Sequence, residues 1–210
     1  MTVDFLSPDR AVEDLGFQPI LKSPMERRQR DAGARFEVRD GWLIPVSVPG
    51  EAERLRTVGV ADLSHLGKIE VRADSVAAGS RRARPKEALE WFQVRPDVAL
   101  VLCEYRDCFV LRSSLARRAR LVLDQTGALS ILALTGPNAS SVLRRLTHLH
   151  QLPAVGSVAH ITGHVLARDG GYWVVFPQEY GHYLWEVAVD AAEPFGGGPV
   201  GVDALTGGRS

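Results

Sequence analysis

The feature that most constrains what this chain can fold into is the grouping of its apolar residues. They come in short runs of strand length, cut by glycine, proline and aspartate turn signals, and only a few stretches have the period of a helix. Ser23-Pro24-Met25-Glu26 sets a hydroxyl at an N-cap, a proline at the first helical position and a carboxylate beyond it, the pattern of a capping box. It predicts a helix over 24–32 that carries Arg27, Arg28 and Arg30 toward its C-terminal end and stops at Gly33. Strands are expected at 34–38, 43–48, 60–63 and 68–71, with a short polar helix near 51–56. Ser64-His65-Leu66-Gly67 reads as the turn of a hairpin. Asp74 would cap a short helix that dissolves in the basic stretch 80–84, expected as a mobile connection.

Further strands are expected at 89–94 and 98–103 around the turn Arg95-Pro96-Asp97, with another apolar run at 108–111. Residues 121–123 and 129–134 read as a pair across Gln125-Thr126-Gly127. Gly136-Pro137-Asn138 then opens a helix whose apolar face is Val142, Leu143, Leu146 and Leu149. Residues 158–167 and 172–176 read as another pair turned at 168–171. A helix over 178–191 would point Tyr180, Leu184, Trp185 and Val187 inward. This grammar implies an α+β protein with antiparallel sheets and helices packed on one face.

The composition excludes several classes. With 210 residues, 45% hydrophobic, 24% charged and a mean hydropathy of −0.04, the chain is long enough to bury a core without metal or disulfide staples. Its 25 basic and 25 acidic residues cancel, so no net field attracts a polyanion, and nucleic acid is not an expected partner. No leader pattern and no run of 18 apolar residues is found, which implies a cytoplasmic protein with no membrane role. Cys103 and Cys108 read as buried free thiols. His148 and His150, and His160 and His164, lack zinc spacing, so no metal is expected, and neither G-x-S-x-G nor a P-loop occurs. Gly196-Gly197-Gly198 and Gly207-Gly208 read as a flexible terminus.

The stretch from Ser23 to Val71 is far more specific. It runs Ser23-Pro24-Met25-Glu26, Gly33-Ala34-Arg35-Phe36, Gly41-Trp42-Leu43-Ile44-Pro45-Val46 and Val58-Gly59-Val60-Ala61-Asp62-Leu63-Ser64-His65-Leu66-Gly67-Lys68-Ile69-Glu70-Val71. This resembles the start of the aminomethyltransferase (T-protein) family of the glycine cleavage system, with its T-P-L, G-A-x-F, G-W-x-x-P and G-x-x-D-x-S-H-M-G-K-x-x-V motifs. Leu132-Ala133-Leu134-Thr135-Gly136-Pro137-Asn138-Ala139 is similar to the family's L-A-L-x-G-P-x-A. The resemblance implies a folate-binding aminomethyltransferase-like fold with ferredoxin-like subdomains and without the C-terminal barrel. The domain would span 23–195, with subdomains 23–84 and 85–195, between an N-terminal extension over 1–22 and a C-terminal tail over 196–210. It also implies tetrahydrofolate, or a derivative of it, as the bound group.

The departures from the family pattern shape the expected function. The G-G-x-x-D-D segment, whose carboxylate orients the folate, is reduced to Arg84-Pro85-Lys86-Glu87-Ala88-Leu89-Glu90-Trp91, with no counterpart of the catalytic acid. The pterin-holding G-Y-T-G-E element is reduced to Arg168-Asp169-Gly170-Gly171-Tyr172. Leu89-Glu90-Trp91 and Arg95-Pro96-Asp97 resemble instead the gamma subunit of heterotetrameric sarcosine oxidase. Three functions are therefore carried forward. The first is a non-catalytic or weakly catalytic folate-binding subunit beside a larger flavoprotein chain. The second is an active tetrahydrofolate-dependent aminomethyltransferase using Glu87, Glu90 or Asp97. The third is a structural subunit with no ligand.

By the resemblance Ser64, His65, Trp42 and Tyr172 are the cofactor-binding residues. Read from the residues alone, the favoured role of His65 is to cap or pack its turn, and that of Trp42 is to plug the core. Asp62 would fix the turn by accepting backbone N–H groups, and Tyr172 with Glu179 would replace missing pterin contacts. Arg81, Arg82, Arg84, Arg117, Arg118 and Arg120 either clamp an anionic tail or form a solvated face.

Overall fold

In the computed structural model, which describes residues 19–74, 76 and 85–206, the chain runs through three sheets. In chain order the elements are β1 (Leu21–Lys22), α1 (Glu26–Asp31), β2 (Arg35–Arg39), β3 (Trp42–Ser47), α2 (Glu51–Arg54), β4 (Gly59–Asp62) and β5 (Gly67–Arg72). There follow β6 (Ala88–Arg95), β7 (Val98–Cys103), α3 (Cys108–Ala116), β8 (Leu121–Asp124), β9 (Leu129–Thr135) and α4 (Ala139–Leu146). The last are β10 (Ala154–Val158), β11 (Ile161–Arg168), β12 (Gly171–Pro177), α5 (Gly181–Ala192), β13 (Gly198–Pro199) and α6 (Val202–Thr206). The expected basic connection over 80–84 lies outside the described residues.

The largest sheet has the order β10-β11-β12-β9-β4-β13, the second β6-β7-β5-β8 and the smallest β1-β3-β2. All neighbours are antiparallel except β1 with β3 and β13 with β4. The continuous apolar run of β9 places it at the centre of its sheet, buried on both faces. Leu132 and Leu134 face α4 and α5 with Val142, Leu146, Leu184 and Trp185. Ile131 and Ala133, one residue out of phase, face the other sheets with Ile44, Phe92, Leu100 and Leu102. β7 repeats the device. Leu100 and Leu102 point to that shared layer, while Val101 and Cys103 point to α3, where Cys108, Leu111 and Leu115 cover them. The layers are thus helices, large sheet, smaller sheets and a last helix, the α+β class expected.

The first helix begins as its sequence dictates. Ser23 Oγ accepts the Met25 N–H at 3.1 Å, Gly33 takes φ +79°, and Ala34 N–H reaches Gln29 O at 2.9 Å. Glu26 does not close a capping box, because its carboxylate pairs with Arg30 one turn on.

Several local expectations are corrected. β4 and β5 are not a hairpin: β4 pairs with β9 and β5 with β7 and β8, so residues 63–66 pass the chain from one sheet to another. For the same reason β8 does not pair with β9. The run from Cys108 is helix, with Cys108, Leu111 and Leu115 on one buried face. Residues 158–167 are broken by a turn at Ala159 and His160, both at positive φ, which sets β10 against β11. Tyr180 is exposed ahead of α5, where Leu184, Trp185 and Ala188 are inward. Residues from Gly196, expected as a tail, instead supply β13, which lies along β4, and then α6.

Gly171 tests the packing. A β-carbon there would lie 1.9 Å from the Leu134 carbonyl oxygen, whereas one on Gly127 meets nothing within 4 Å. Gly171→Ala is expected to cost about 2 kcal/mol or more by forcing β12 away from β9, and Gly127→Ala to stay within about 1 kcal/mol of the parent in urea denaturation. Equal stabilities of the two variants would contradict this register.

Candidate functional site

The crossing from β4 to β5 is held by buried polar groups. Asp62 is 1% exposed; its Oδ2 accepts from Gln29 Nε2 at 2.7 Å and its Oδ1 from the Ser64 N–H at 2.8 Å. Ser64 Oγ accepts the Ile131 N–H at 3.1 Å, tying the turn to β9. Lys68 is fully buried because β5 turns its even positions toward the layer between sheets. Its Nζ donates to Ser64 O at 2.7 Å and lies 5.8 Å from the Trp42 ring centroid. Burial pulls the Lys68 ammonium down to about 8, against the opposing pull of Asp62. The Lys68 N–H and the Thr126 hydroxyl close the knot at 3.1 Å.

Above this knot opens a cleft of about 680 Å³. Its floor is Leu63, His65 and Leu66 of the crossing, with Ala133 of β9; Leu89, Tyr172 and Trp173 form walls. The rim is charged. Arg39 grips Asp203 with two bonds, 2.6 and 2.8 Å, and also pairs with Glu37, so that its guanidinium is held charged and the Asp203 carboxyl is pulled below its ordinary range. Arg168 lies 4.4 Å from the Trp173 ring centroid while bonding Glu90. Asp40, Glu104, Arg106 and Asp169 also line the cleft. His65 is largely buried, and burial pushes its imidazole down to about 4, with Asp62 opposing and Lys68 and Arg39 adding to the fall.

Of the residues chosen from the sequence, His65 and Tyr172 line the cleft. Ser64 is spent inside the turn and Trp42 is 6% exposed in the core, its ring edge-on to Tyr105 at 5.8 Å; neither borders the cleft. Asp62 fixes the turn as expected, through the Ser64 N–H and also through Gln29. Glu90 is clamped by Arg168, and Asp97 sits at the far end of the β6–β7 hairpin beside Arg95. Glu179, Arg117, Arg118 and Arg120 do not border the cleft; Arg81, Arg82 and Arg84 lie outside the described residues. Sequence reasoning missed the Arg39–Asp203 pair, whose partners are 164 positions apart, and the Arg168–Trp173 stack. For the stack a signal existed: once β11 and β12 are a hairpin about Gly170, Arg168 and Trp173 fall close together across it.

The fold is that of the glycine cleavage aminomethyltransferases. The chain superposes on the glycine cleavage system aminomethyltransferase T of Bartonella henselae with a TM-score of 0.64 at 19% identity, over 88% of this chain and 60% of that one. It matches a chain of the heterotetrameric sarcosine oxidase of Corynebacterium sp. U-96 at a TM-score of 0.56 and 19% identity, over 82% of this chain and 95% of that one. In sequence it is 27% identical over 224 residues to an aminomethyltransferase of Mycobacterium leprae, covering 88% of this chain. The chain spans 61% of the length of that curated relative. No protein-family model matches. In both sequence and fold the chain is similar to the glycine cleavage aminomethyltransferases. Among the described residues, no helix is long and apolar enough to cross a membrane.

Two stability predictions follow from the site. Asp62→Ala strips partners from Gln29 and Ser64 and removes the charge that offsets the buried Lys68 ammonium, so a loss of about 3 kcal/mol in urea denaturation is expected. For His65, the folded value near 4 lies below the unfolded 6.5, so between them the unfolded chain binds a proton that the folded chain does not. Stability therefore falls as pH drops from 6.5 to 4. His164, also lowered by burial, acts in the same direction. His65→Gln should shrink the difference in urea midpoint between pH 7 and pH 5; an unchanged difference would refute the assignment.

Proposed function

We propose that the chain is a tetrahydrofolate-binding module of cytoplasmic one-carbon metabolism, acting as a non-catalytic or weakly catalytic subunit beside a larger flavoprotein chain. The observation that carries this reading is the open cleft over His65, walled by the segments that bear the aminomethyltransferase motifs. Its volume lies within the range of small-molecule sites. Leu63, Leu66, Leu89 and Trp173 offer apolar surface to a flat heteroaromatic ring, and Tyr172 and His65 offer polar edges. Among the described residues Arg106 borders the cleft without an ion-pair partner, which suits an anionic tail. When bound, tetrahydrofolate supplies a nitrogen that accepts a one-carbon unit; the chain's own groups hold its ring and keep water from it.

The non-catalytic reading is favoured over the active transferase because none of Glu87, Glu90 and Asp97, the substitutes named from the sequence, borders the cleft. Glu90 is taken up by Arg168, and Asp97 is beside Arg95 at the opposite end of its hairpin. The larger partner is supported by the likeness to a chain of a heterotetrameric oxidase, almost all of whose length is matched.

Isothermal titration of the purified chain with tetrahydrofolate and with its 5-formyl derivative should give saturable heat and an upward thermal shift. Trp173→Ala and Arg106→Gln should each weaken binding by about tenfold, the scale of one lost stacking or charge-assisted contact. No heat and no thermal shift at millimolar ligand would overturn the proposal. Methylene transfer by the isolated chain would replace it with the transferase reading.

A further inference from the structure

One reactive pair takes no part in the cleft. Cys103 ends β7 and Cys108 begins α3, and both are unbridged thiols in the core between the second sheet and that helix. Across the sheet Cys103 faces Gly67, and the missing side chain of that glycine leaves the space that both sulfurs occupy. A β-carbon placed on Gly67 would lie 2.7 Å from Cys103 Sγ and 2.8 Å from Cys108 Sγ. The two sulfurs thus crowd one point. Cys108 Sγ also lies 3.8 Å from the Thr126 hydroxyl.

We propose that Cys103 and Cys108 form a peroxide-oxidisable dithiol, a modification site that closes to an intrachain disulfide under a small hydroperoxide. The two sulfurs have different roles. Cys108 begins α3 directly after the turn over 105–107 and is 6% exposed. The Cys103 thiol lowers it to about 7 against the opposing effect of burial, with the Thr126 hydroxyl and Arg112 favouring its thiolate and Asp124 opposing it. Cys103 is fully buried, and the neighbouring Cys108 together with burial pushes its thiol up, so it remains the protonated resolving partner.

In the first step the Cys108 thiolate attacks one oxygen of the hydroperoxide. The O–O bond breaks, Cys108 becomes a sulfenic acid, and the second oxygen leaves as hydroxide, or as an alkoxide, and takes a proton from solvent. In the second step Cys103 sulfur attacks the sulfenic sulfur. The S–O bond breaks, the S–S bond forms, and the Cys103 proton goes with the departing hydroxide as water. Two thiols lose two electrons and two protons, and hydrogen peroxide is reduced to two waters. Because Gly67 lies between the sulfurs and Lys68, and Thr126 contacts both Cys108 Sγ and the Lys68 N–H, closure acts one contact away from the knot under the cleft.

The test uses the full chain in its native state, treated with hydrogen peroxide, quenched in acid, then denatured and alkylated with N-ethylmaleimide. The expected product has lost two hydrogens, takes up no label and regains both sites on reduction. Trypsin cuts at Arg106, between the two cysteines, so non-reduced digests should hold the two flanking peptides together. Cys103→Ser should leave Cys108 oxidised beyond sulfenic acid, with a mass gain in place of the loss. Cys108→Ser should slow oxidation at Cys103 by about tenfold or more, as expected for a buried thiol with no thiolate character. If either variant fails to fold, the pH dependence of thiol loss in the parent decides, with half-maximal rate near 7 expected. Two labelled cysteines after native peroxide treatment, a disulfide between chains, or a half-maximal rate at the free-thiol value near 8.5 would each overturn the proposal.

Discussion

A carboxylate with no access to water, Asp62, governs much of this molecule. It stands where the chain leaves one sheet for another, and such a crossing leaves backbone groups without ladder partners in a place water cannot reach. Asp62 and Ser64 satisfy those groups, Gln29 reaches in from the first helix, and Lys68 takes the remaining carbonyl. Each member is buried, so each depends on the others for its hydrogen bonds. The same knot sets the height of Leu63, His65 and Leu66, and so the floor of the cleft.

The parts of the fold legible in the sequence were those whose burial is local. β7 was readable to its ends because it is buried on both faces and bounded by a turn signal and a charged residue. The helix after Gly136 was readable from the spacing of Val142, Leu143 and Leu146. What failed was pairing. Two strands joined by a few residues are usually neighbours, and that rule assigned β5 to β4 and β9 to β8. The rule fails here because the buried residues of the two joints, Leu63, Ser64, Leu66 and Thr126, are held by contacts with other elements, which only the tertiary arrangement decides. The run at 108–111 was too short to separate helix from strand by period. The decisive residue, Leu115, lies further along.

The cleft was half legible for the same reason. His65 and Tyr172 stand beside turns, and turn residues tend to reach a surface. Trp42 also stands beside a glycine turn, but β3 is covered by α6 and by the large sheet, so its ring is enclosed. The motifs led to the segments that line the cleft and not to the orientation of each side chain. The charged rim had no signal at all in the case of Arg39 and Asp203, because nothing in either segment refers to the other.

That ion pair, with β13 lying along β4, fixes when the cleft can exist. Its walls draw on the early strands and on residues 202–205. A growing polypeptide cannot complete it until nearly all of these residues have emerged from the ribosome, and the slow, non-local closures come last. The Arg39–Asp203 rim is therefore completed only once residue 203 has been added, and a cut near residue 200 would sever Asp203 from the strand that brings it there.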